Sequence, residues 1–150
     1  MPCTMRLLAN LLWFLLAGSW LFLAYLGAGV VQCLTIIGIP FGLQSFKLAL
    51  FTAWPFGRAV ITLPGDGGGL SCLGNLVWLL LGGIWLALAH LLAGVVLCLT
   101  IVGIPFGIAC MRMAALALSP FGKSIVTIDE LARLRQPYTL VVPALGAANR

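Results

Sequence analysis

The sequence predicts an all-α integral membrane protein made of two homologous tandem repeats, with about four transmembrane helices, two in each repeat. Three observations support this fold class. Of the 150 residues, 63% are hydrophobic and 7% are charged, whereas an ordinary soluble domain has about a quarter charged residues. A long apolar block is written twice in the chain. Each copy contains a Gly-x-Pro-x-Gly break in the middle of its apolar run.

The internal repeat is the strongest signal in the chain. Residues 9–62 align with residues 74–127 without a gap, and 29 of the 54 aligned positions are identical. Tandem copies in a membrane protein usually form pseudo-symmetric halves around a shared axis. We therefore expect one membrane domain over residues 1–150. Its predicted parts are repeat 1 at about 9–62, a glycine-rich linker at about 63–73, repeat 2 at about 74–127, and an amphipathic segment with a loose tail at 128–150.

The break motif is predicted to shape the helices. Proline lacks the backbone N–H and clashes with the preceding turn, while glycine frees the backbone. The motif is therefore expected to kink the second helix of each repeat. Its residues are Gly38, Pro40 and Gly42 in the first copy and Gly103, Pro105 and Gly107 in the second.

The length of the uncharged run sets the number of crossings. It extends from Leu7 to Phe46, and a membrane-spanning helix needs roughly 20 residues. This is just enough for two spans, at about 9–26 and 30–50, joined by a tight turn at Leu26–Gly29. Basic residues near span ends favour the cytoplasm, and Lys47 and Arg112 hold equivalent repeat positions. Both copies should therefore point the same way, with both termini and the linker in the cytoplasm.

A second topology also fits the hydrophobic pattern. Each repeat could form one long tilted helix, at about 8–37 and 73–102, followed by a helix lying in the membrane interface at about 43–54. The two copies would then be inverted, with equal basic charge on the two sides of the membrane.

Chemistry-bearing residues are few. The three acids, Asp66, Asp129 and Glu130, lie outside the apolar runs, and His90 is the single histidine. The five cysteines form no C-x-x-C pair, which argues against a zinc or redox site. We therefore expect no catalytic residue, no metal and no cofactor. The basic residues flank apolar runs, so the expected partner is the lipid bilayer and nucleic acid is not expected.

Two functional hypotheses follow. The first is a small channel or transporter assembled as a homo-oligomer, because four short helices leave little room for a pore within one chain. If it conducts, Lys47 and Arg112 could form a positive ring that favours anions, although headgroup contact is the ordinary role for such residues. The alternative is an accessory or structural membrane subunit that transports nothing.

The motifs together resemble one protein family. The Gly-Ile-Pro-Phe-Gly stretches, the block Trp54–Arg58 and the duplicated layout are similar to the YccF family over about residues 8–130. This resemblance implies a small multi-pass protein of the bacterial inner membrane, and it implies no particular activity. Ser119 departs from the pattern, because it stands where the first copy has Trp54.

Overall fold

Each repeat folds into a long helix, a tight reversal, a shorter returning helix and a β-strand. The computed structural model describes residues 3–144. In the first copy these elements are α1 (Cys3–Trp13), a π-helical turn (Phe14–Gly18), α2 (Ser19–Cys33), α3 (Ile39–Ala53) and β1 (Arg58–Thr62). In the second copy they are α4 (Gly69–Trp78), a π-helical turn (Leu79–Gly83), α5 (Ile84–Cys98), α6 (Ile104–Leu118) and β2 (Ser124–Thr127). The chain continues through α7 (Ile128–Arg133) and β3 (Thr139–Val142).

Two of these helices are long and apolar enough to cross a membrane. The first runs without interruption over Cys3–Cys33 and the second over Gly69–Cys98. Two helices per repeat were expected, but the predicted turn at Leu26–Gly29 is wrong, because those residues lie inside α2. A glycine within a helix costs only about 1 kcal/mol relative to alanine. Two glycines are therefore not enough to end a helix that is stabilised on both sides.

The chain reverses at the Gly-x-Pro-x-Gly motif, which joins two helices rather than kinking one. The Thr35 hydroxyl donates to the Gln32 carbonyl at 3.2 Å and accepts from the Gly38 N–H at 3.1 Å. A side chain at Gly38 would collide with the Gln32 carbonyl oxygen. Pro40 lies in the first turn of α3, where a helix has no use for the missing N–H. The second copy repeats this arrangement with Thr100 and Gly103.

The two helices of each hairpin approach closely because small residues line their contact. A Cβ atom at Gly42 would overlap Cys33 Sγ and lie 2.8 Å from the Gly29 carbonyl oxygen. The equivalent Gly107 would overlap Cys98 Sγ in the same way. Cys33 and Cys98 are therefore packing residues, as their apolar surroundings in the sequence suggested.

The π-helical turns fit a buried tryptophan into each hairpin. Trp13 lies over Gly18, where a Cβ atom would be only 2.7 Å from the indole ring. Its Nε1 donates to the Thr52 carbonyl of α3 at 2.6 Å. Trp78 makes the same bond to Ala117 of α6 at 2.7 Å. Each tryptophan thus joins the long helix to the end of the returning helix.

A three-stranded antiparallel sheet corrects the all-α prediction. Its strand order is β2-β1-β3. The strands β1 and β2 come from equivalent positions of the two copies, and the equivalent residues Val60 and Ile125 face each other in the register. Strand β3 pairs with the other edge of β1, so the tail predicted to be loose from residue 138 is ordered at Thr139–Val142. The three strands are short and rich in β-branched residues, and the much longer apolar runs beside them dominate the hydrophobic pattern of the sequence.

The copies are related by a pseudo-two-fold axis that passes between equivalent residues. Two aromatic contacts between the copies are reciprocal, since Phe41 meets Phe121 at 5.4 Å between ring centroids and Phe106 meets Phe56 at 5.7 Å. Tyr25 of α2 and its equivalent His90 of α5 face each other on the axis. The pair of strands β1 and β2 lies on the same axis, which passes between Val60 and Ile125.

The long helices of the two copies run antiparallel. Gln32, near the end of the first long helix, reaches Gly82, in the middle of the second. An apolar cavity of about 230 Å³ lies on the other side of the axis and is lined by residues 16–24 of the first helix and residues 89–97 of the second. Numbering therefore increases in opposite directions along the contact.

Substituting Gly42 by alanine should destabilise the hairpin, because the added methyl group has no space. Overpacking of this kind costs about 1–3 kcal/mol. The expected result is a lower melting temperature of the purified protein in detergent micelles, followed by tryptophan fluorescence. Gly27→Ala is the matched control, since nothing lies within 4 Å of a Cβ atom there and alanine favours a helix. Equal melting temperatures for the two variants would contradict the close-packing argument.

Candidate functional site

The centre of the interface between the copies holds a buried aromatic pair. The rings of Tyr25 and His90 lie 5.7 Å apart between centroids, tilted by 55°. Their exposed fractions are 1% and 0%. Neither ring nitrogen of His90 has a hydrogen-bond partner among the described residues. The sequence singled out His90 as the lone histidine, at the repeat position equivalent to Tyr25, and it did not predict that the two rings meet.

A second buried polar pair adjoins the interface. Ser45 of α3 donates to the Gln32 side-chain oxygen at 2.7 Å, and both residues are buried. The Gln32 amide nitrogen has no partner among the described residues, and it points toward the Gly82 backbone. This pair has no counterpart in the second copy, where Leu97 and Cys110 occupy the equivalent positions.

The two candidate pore cations differ in their surroundings. Lys47 is partly buried and donates from Nζ to the Lys123 carbonyl at 2.7 Å. Arg112, its repeat equivalent, is exposed on α6. Lys47 lies in a cleft beside the sheet with Arg58 and Glu130. The anion-selective ring remains a prediction that no contact described here tests.

One asparagine in each copy fixes the end of the returning helix. Asn10 exchanges two hydrogen bonds with the Phe56 backbone, each at 3.0 Å. Asn75 binds the Phe121 backbone in the same way, at 3.1 and 2.9 Å. These side chains satisfy the backbone where it leaves the helix for the strand, so their role here is structural.

The charged residues gather on the side of the sheet. Arg58 donates from Nη1 to the Leu50 carbonyl at 3.2 Å, and burial lowers the pKa of Lys123. At the start of α7, Thr127 and Glu130 form the predicted capping box. The Thr127 N–H donates to the Glu130 carboxylate at 2.7 Å, and this hydrogen bond is the main reason that the pKa of Glu130 lies below its usual value.

The site offers packing and hydrogen bonding rather than recognisable reaction chemistry. Among residues 3–144, no group of three His, Cys, Asp or Glu side chains is placed to hold a metal ion. The polar centre consists of the side chains of Tyr25, Gln32, Ser45 and His90. Apart from His90, the sequence has no acidic or basic residue at positions 7–46 or 67–111. Such a centre can order the helices by packing and hydrogen bonding, and within residues 3–144 it places no nucleophile in a hydrogen bond with a base.

These features define an integral membrane protein built from a duplicated helical hairpin. Comparison with known proteins agrees with this class. The chain belongs to the YccF family, described as an inner membrane component domain, whose profile matches residues 8–58 and again residues 73–123. The resemblance and the internal repeat that the sequence indicated are thus confirmed.

Two curated relatives extend the match over most of the chain. Both are named "Inner membrane protein YccF", one from Escherichia coli (strain K12) and one from Shigella flexneri. Each is 31% identical over 143 residues, which cover 88% of this chain and 95% of the relative. No solved structure matches the chain. This protein is therefore an inner-membrane component.

Replacing His90 by phenylalanine should leave the thermal stability unchanged or raise it. The imidazole is buried, and neither nitrogen has a partner within residues 3–144. An unsatisfied buried polar group costs about 1–3 kcal/mol. The measurement is the melting temperature in detergent. Trp78→Phe is the control, because it removes a buried donor and leaves the Ala117 carbonyl unpaired, so it should lower that temperature. A large loss of stability in His90→Phe would show that the imidazole has a partner essential to the fold.

Lys47→Gln and Arg112→Gln should differ in effect despite their equivalent positions. The first removes a partly buried, charge-assisted bond to a backbone carbonyl, and we expect a loss of about 1 kcal/mol or more. The second changes an exposed side chain, and such changes usually stay within about 0.5 kcal/mol. Chemical unfolding in mixed micelles measures both. Equal losses would indicate that the two cations act as a pair.

Proposed function

We propose that this protein is an accessory or structural component of the inner membrane that holds a small sheet at the membrane and conducts nothing. The observation that supports this proposal is the packed axis between the two copies. Tyr25 and His90 close it between the long helices, and the Phe41–Phe121 and Phe56–Phe106 contacts flank it. Side chains therefore fill the space along the pseudo-two-fold axis of a single chain, where a pore would need water.

The composition of the long helices also favours a role without coupled transport. Proton- or sodium-coupled transporters usually place ionisable groups within their membrane segments. Here the acids Asp66, Asp129 and Glu130 lie outside the apolar runs. The surface that faces away from the apolar helices consists of the sheet, α7 and most of the charged residues, and this surface would meet a partner in the cytoplasm.

The second candidate is the channel or transporter. The buried polar centre of Tyr25, Gln32, Ser45 and His90 favours it, because polar side chains between membrane helices often mark a pathway. Conduction would require several copies, with the pore between chains rather than within one. Lys47 and Arg112 would then contribute to a positive ring that lowers the barrier for anions.

Flux measurements on reconstituted protein separate these functions. We expect liposomes that contain the purified protein to release chloride and potassium no faster than protein-free liposomes. Light scattering in detergent, measured on the same sample, gives the number of chains per particle. A known channel reconstituted in parallel confirms that the vesicles are tight and that the assay responds.

The opposite result would be equally clear. Reproducible chloride flux from an oligomer, reduced by Lys47→Gln plus Arg112→Gln, would replace the accessory role by the anion channel. Flux that is indifferent to this double substitution would keep transport and remove the positive ring.

A further inference from the structure

We propose that this protein enters the membrane from one side only. The two long helices lie along the plane of the cytoplasmic leaflet, both hairpin tips stay within the hydrocarbon, and the sheet remains in the cytoplasm. The partner of the apolar face is thus the acyl chains of a single leaflet. This inference concerns how the chain meets lipid, and it rests on the accessory role proposed above, because a protein confined to one leaflet leaves no path for a solute across the bilayer.

The position of the sheet carries the inference. Val60 and Ile125 place the sheet on the pseudo-two-fold axis, and Tyr25 and His90 place the crossing of the long helices on the same axis. Because these helices run antiparallel, the axis lies across them rather than along them. The sheet therefore lies beside the middle of the helix pair and not beyond either end of it.

A transmembrane placement of the long helices would bring this sheet to the depth of the bilayer centre. Lys47, Arg58 and Glu130 line one cleft against β2, and each such charge costs about 2.5–3.5 kcal/mol at mid-membrane on insertion scales. The sheet is open, with β2 and β3 as its edges, and open edges are not tolerated in hydrocarbon. Turning the axis along the membrane normal removes both costs, since the sheet and its charges then point into water.

The hairpin tips support the same orientation. Ile36 and Ile37 are 88% and 83% exposed at the first tip, and Ile101 is 89% exposed at the second. The tip threonines satisfy their hydroxyls within the turn, through Gln32 and Gly38 in the first copy and through Leu97 and Gly103 in the second. No charged residue lies within either turn. Such tips are suited to hydrocarbon and are poorly suited to the water on the far side of a membrane.

The dimensions agree with insertion into one leaflet. A helix with its side chains is about 10–12 Å thick, and half of a hydrocarbon core of about 30 Å is about 15 Å. One layer of long helices therefore fits within a leaflet. The returning helices then reach the headgroups, where Lys47 and Arg112 contact water or lipid phosphate.

Symmetry makes the proposal testable, because an axis along the membrane normal places equivalent residues at equal depth. Single cysteines at Ile37 and Val102 mark the two tips, and Gly67→Cys marks the exposed linker. The exposed cysteines Cys3 and Cys72 are first changed to serine. A membrane-impermeant maleimide is then applied to intact spheroplasts and to inverted membrane vesicles. The parent protein, which keeps Cys33, Cys98 and Cys110, is treated in parallel and its labelling is subtracted. The remaining signal is normalised to the labelling of the same sample in SDS, corrected in the same way, which shows that the introduced thiol is free.

We expect both tip cysteines to react on the order of tenfold or more slowly than in SDS from either side, because the reactive thiolate does not form in hydrocarbon. Gly67→Cys should react in inverted vesicles and not in spheroplasts. Four transmembrane spans would instead expose both tips to reagent added to spheroplasts. Inverted transmembrane copies would expose one tip and the linker to that reagent and the other tip to reagent added to vesicles. Either pattern would overturn the one-sided insertion.

A second pair of positions protects the test against misfolding of a tip variant. Val31 and Val96 are equivalent, and they are 65% and 62% exposed on the long helices. Spin labels at these positions should be reached by oxygen far more readily than by a water-soluble nickel reagent, with the same depth for both. Depths on opposite sides of the bilayer centre would contradict the proposal.

Discussion

The fold depends on one constraint, which is that a surface of apolar side chains must avoid water along the whole length of two uncharged helices. The first helix exposes leucine, valine and tryptophan side chains from its first turn to its end. Burying this surface inside the protein would require a third layer of helices, which residues 3–144 do not form. Lipid therefore completes the structure, and the inner-membrane location of the family follows from the same constraint.

The returning helices remove the opposite side of the long helices from water. Each covers one face of its long helix with small and aromatic residues, and the pairing is close because Gly42 and Gly107 have no side chain. The outer face of this second layer carries Lys47 and Arg112 and supports the sheet. Two hairpins related by an axis across the helices thus give a body with one apolar face and one polar face. The polar face contains one strand from each copy, β1 and β2, which pair with each other. Both copies are therefore needed to complete it.

Much of this architecture could be predicted from sequence, because long apolar runs and an internal repeat are strong signals. The membrane class, the two helices per repeat and the capping box at Thr127 were predicted on physical grounds. The turn was misplaced because Leu26–Gly29 carries two glycines, whereas the real reversal depends on the hydroxyl of Thr35 and on the space beside Gly38. Neither the hydrogen bonds of this hydroxyl nor the lack of space at Gly38 can be inferred from the amino-acid composition of the segment.

The strands and the polar centre could not be found in the same way. Strand β1 has five residues, and β2 and β3 have four each. Such short segments carry little periodicity, and their strand partners are distant in sequence. The contact of Tyr25 with His90 depends on the antiparallel packing of the copies. The repeat alone does not specify that packing, since parallel and inverted copies have the same alignment.

The differences between the copies show how one duplicated interface accommodates two kinds of contact. In the first copy Ser45 donates to Gln32, and in the second both positions are apolar, as Cys110 and Leu97. Replacing both partners of a buried hydrogen bond by apolar groups is nearly neutral, whereas replacing one is costly. Gly82, which stands where the first copy has Ala17, belongs to the same set, because a Cβ atom there would lie 3.2 Å from the Gln32 amide nitrogen. Three differences at distant positions thus belong to one packing arrangement. Gln32 on one side of the axis is matched by Gly82, whereas its counterpart Leu97 is matched by Ala17, which lines the same apolar cavity.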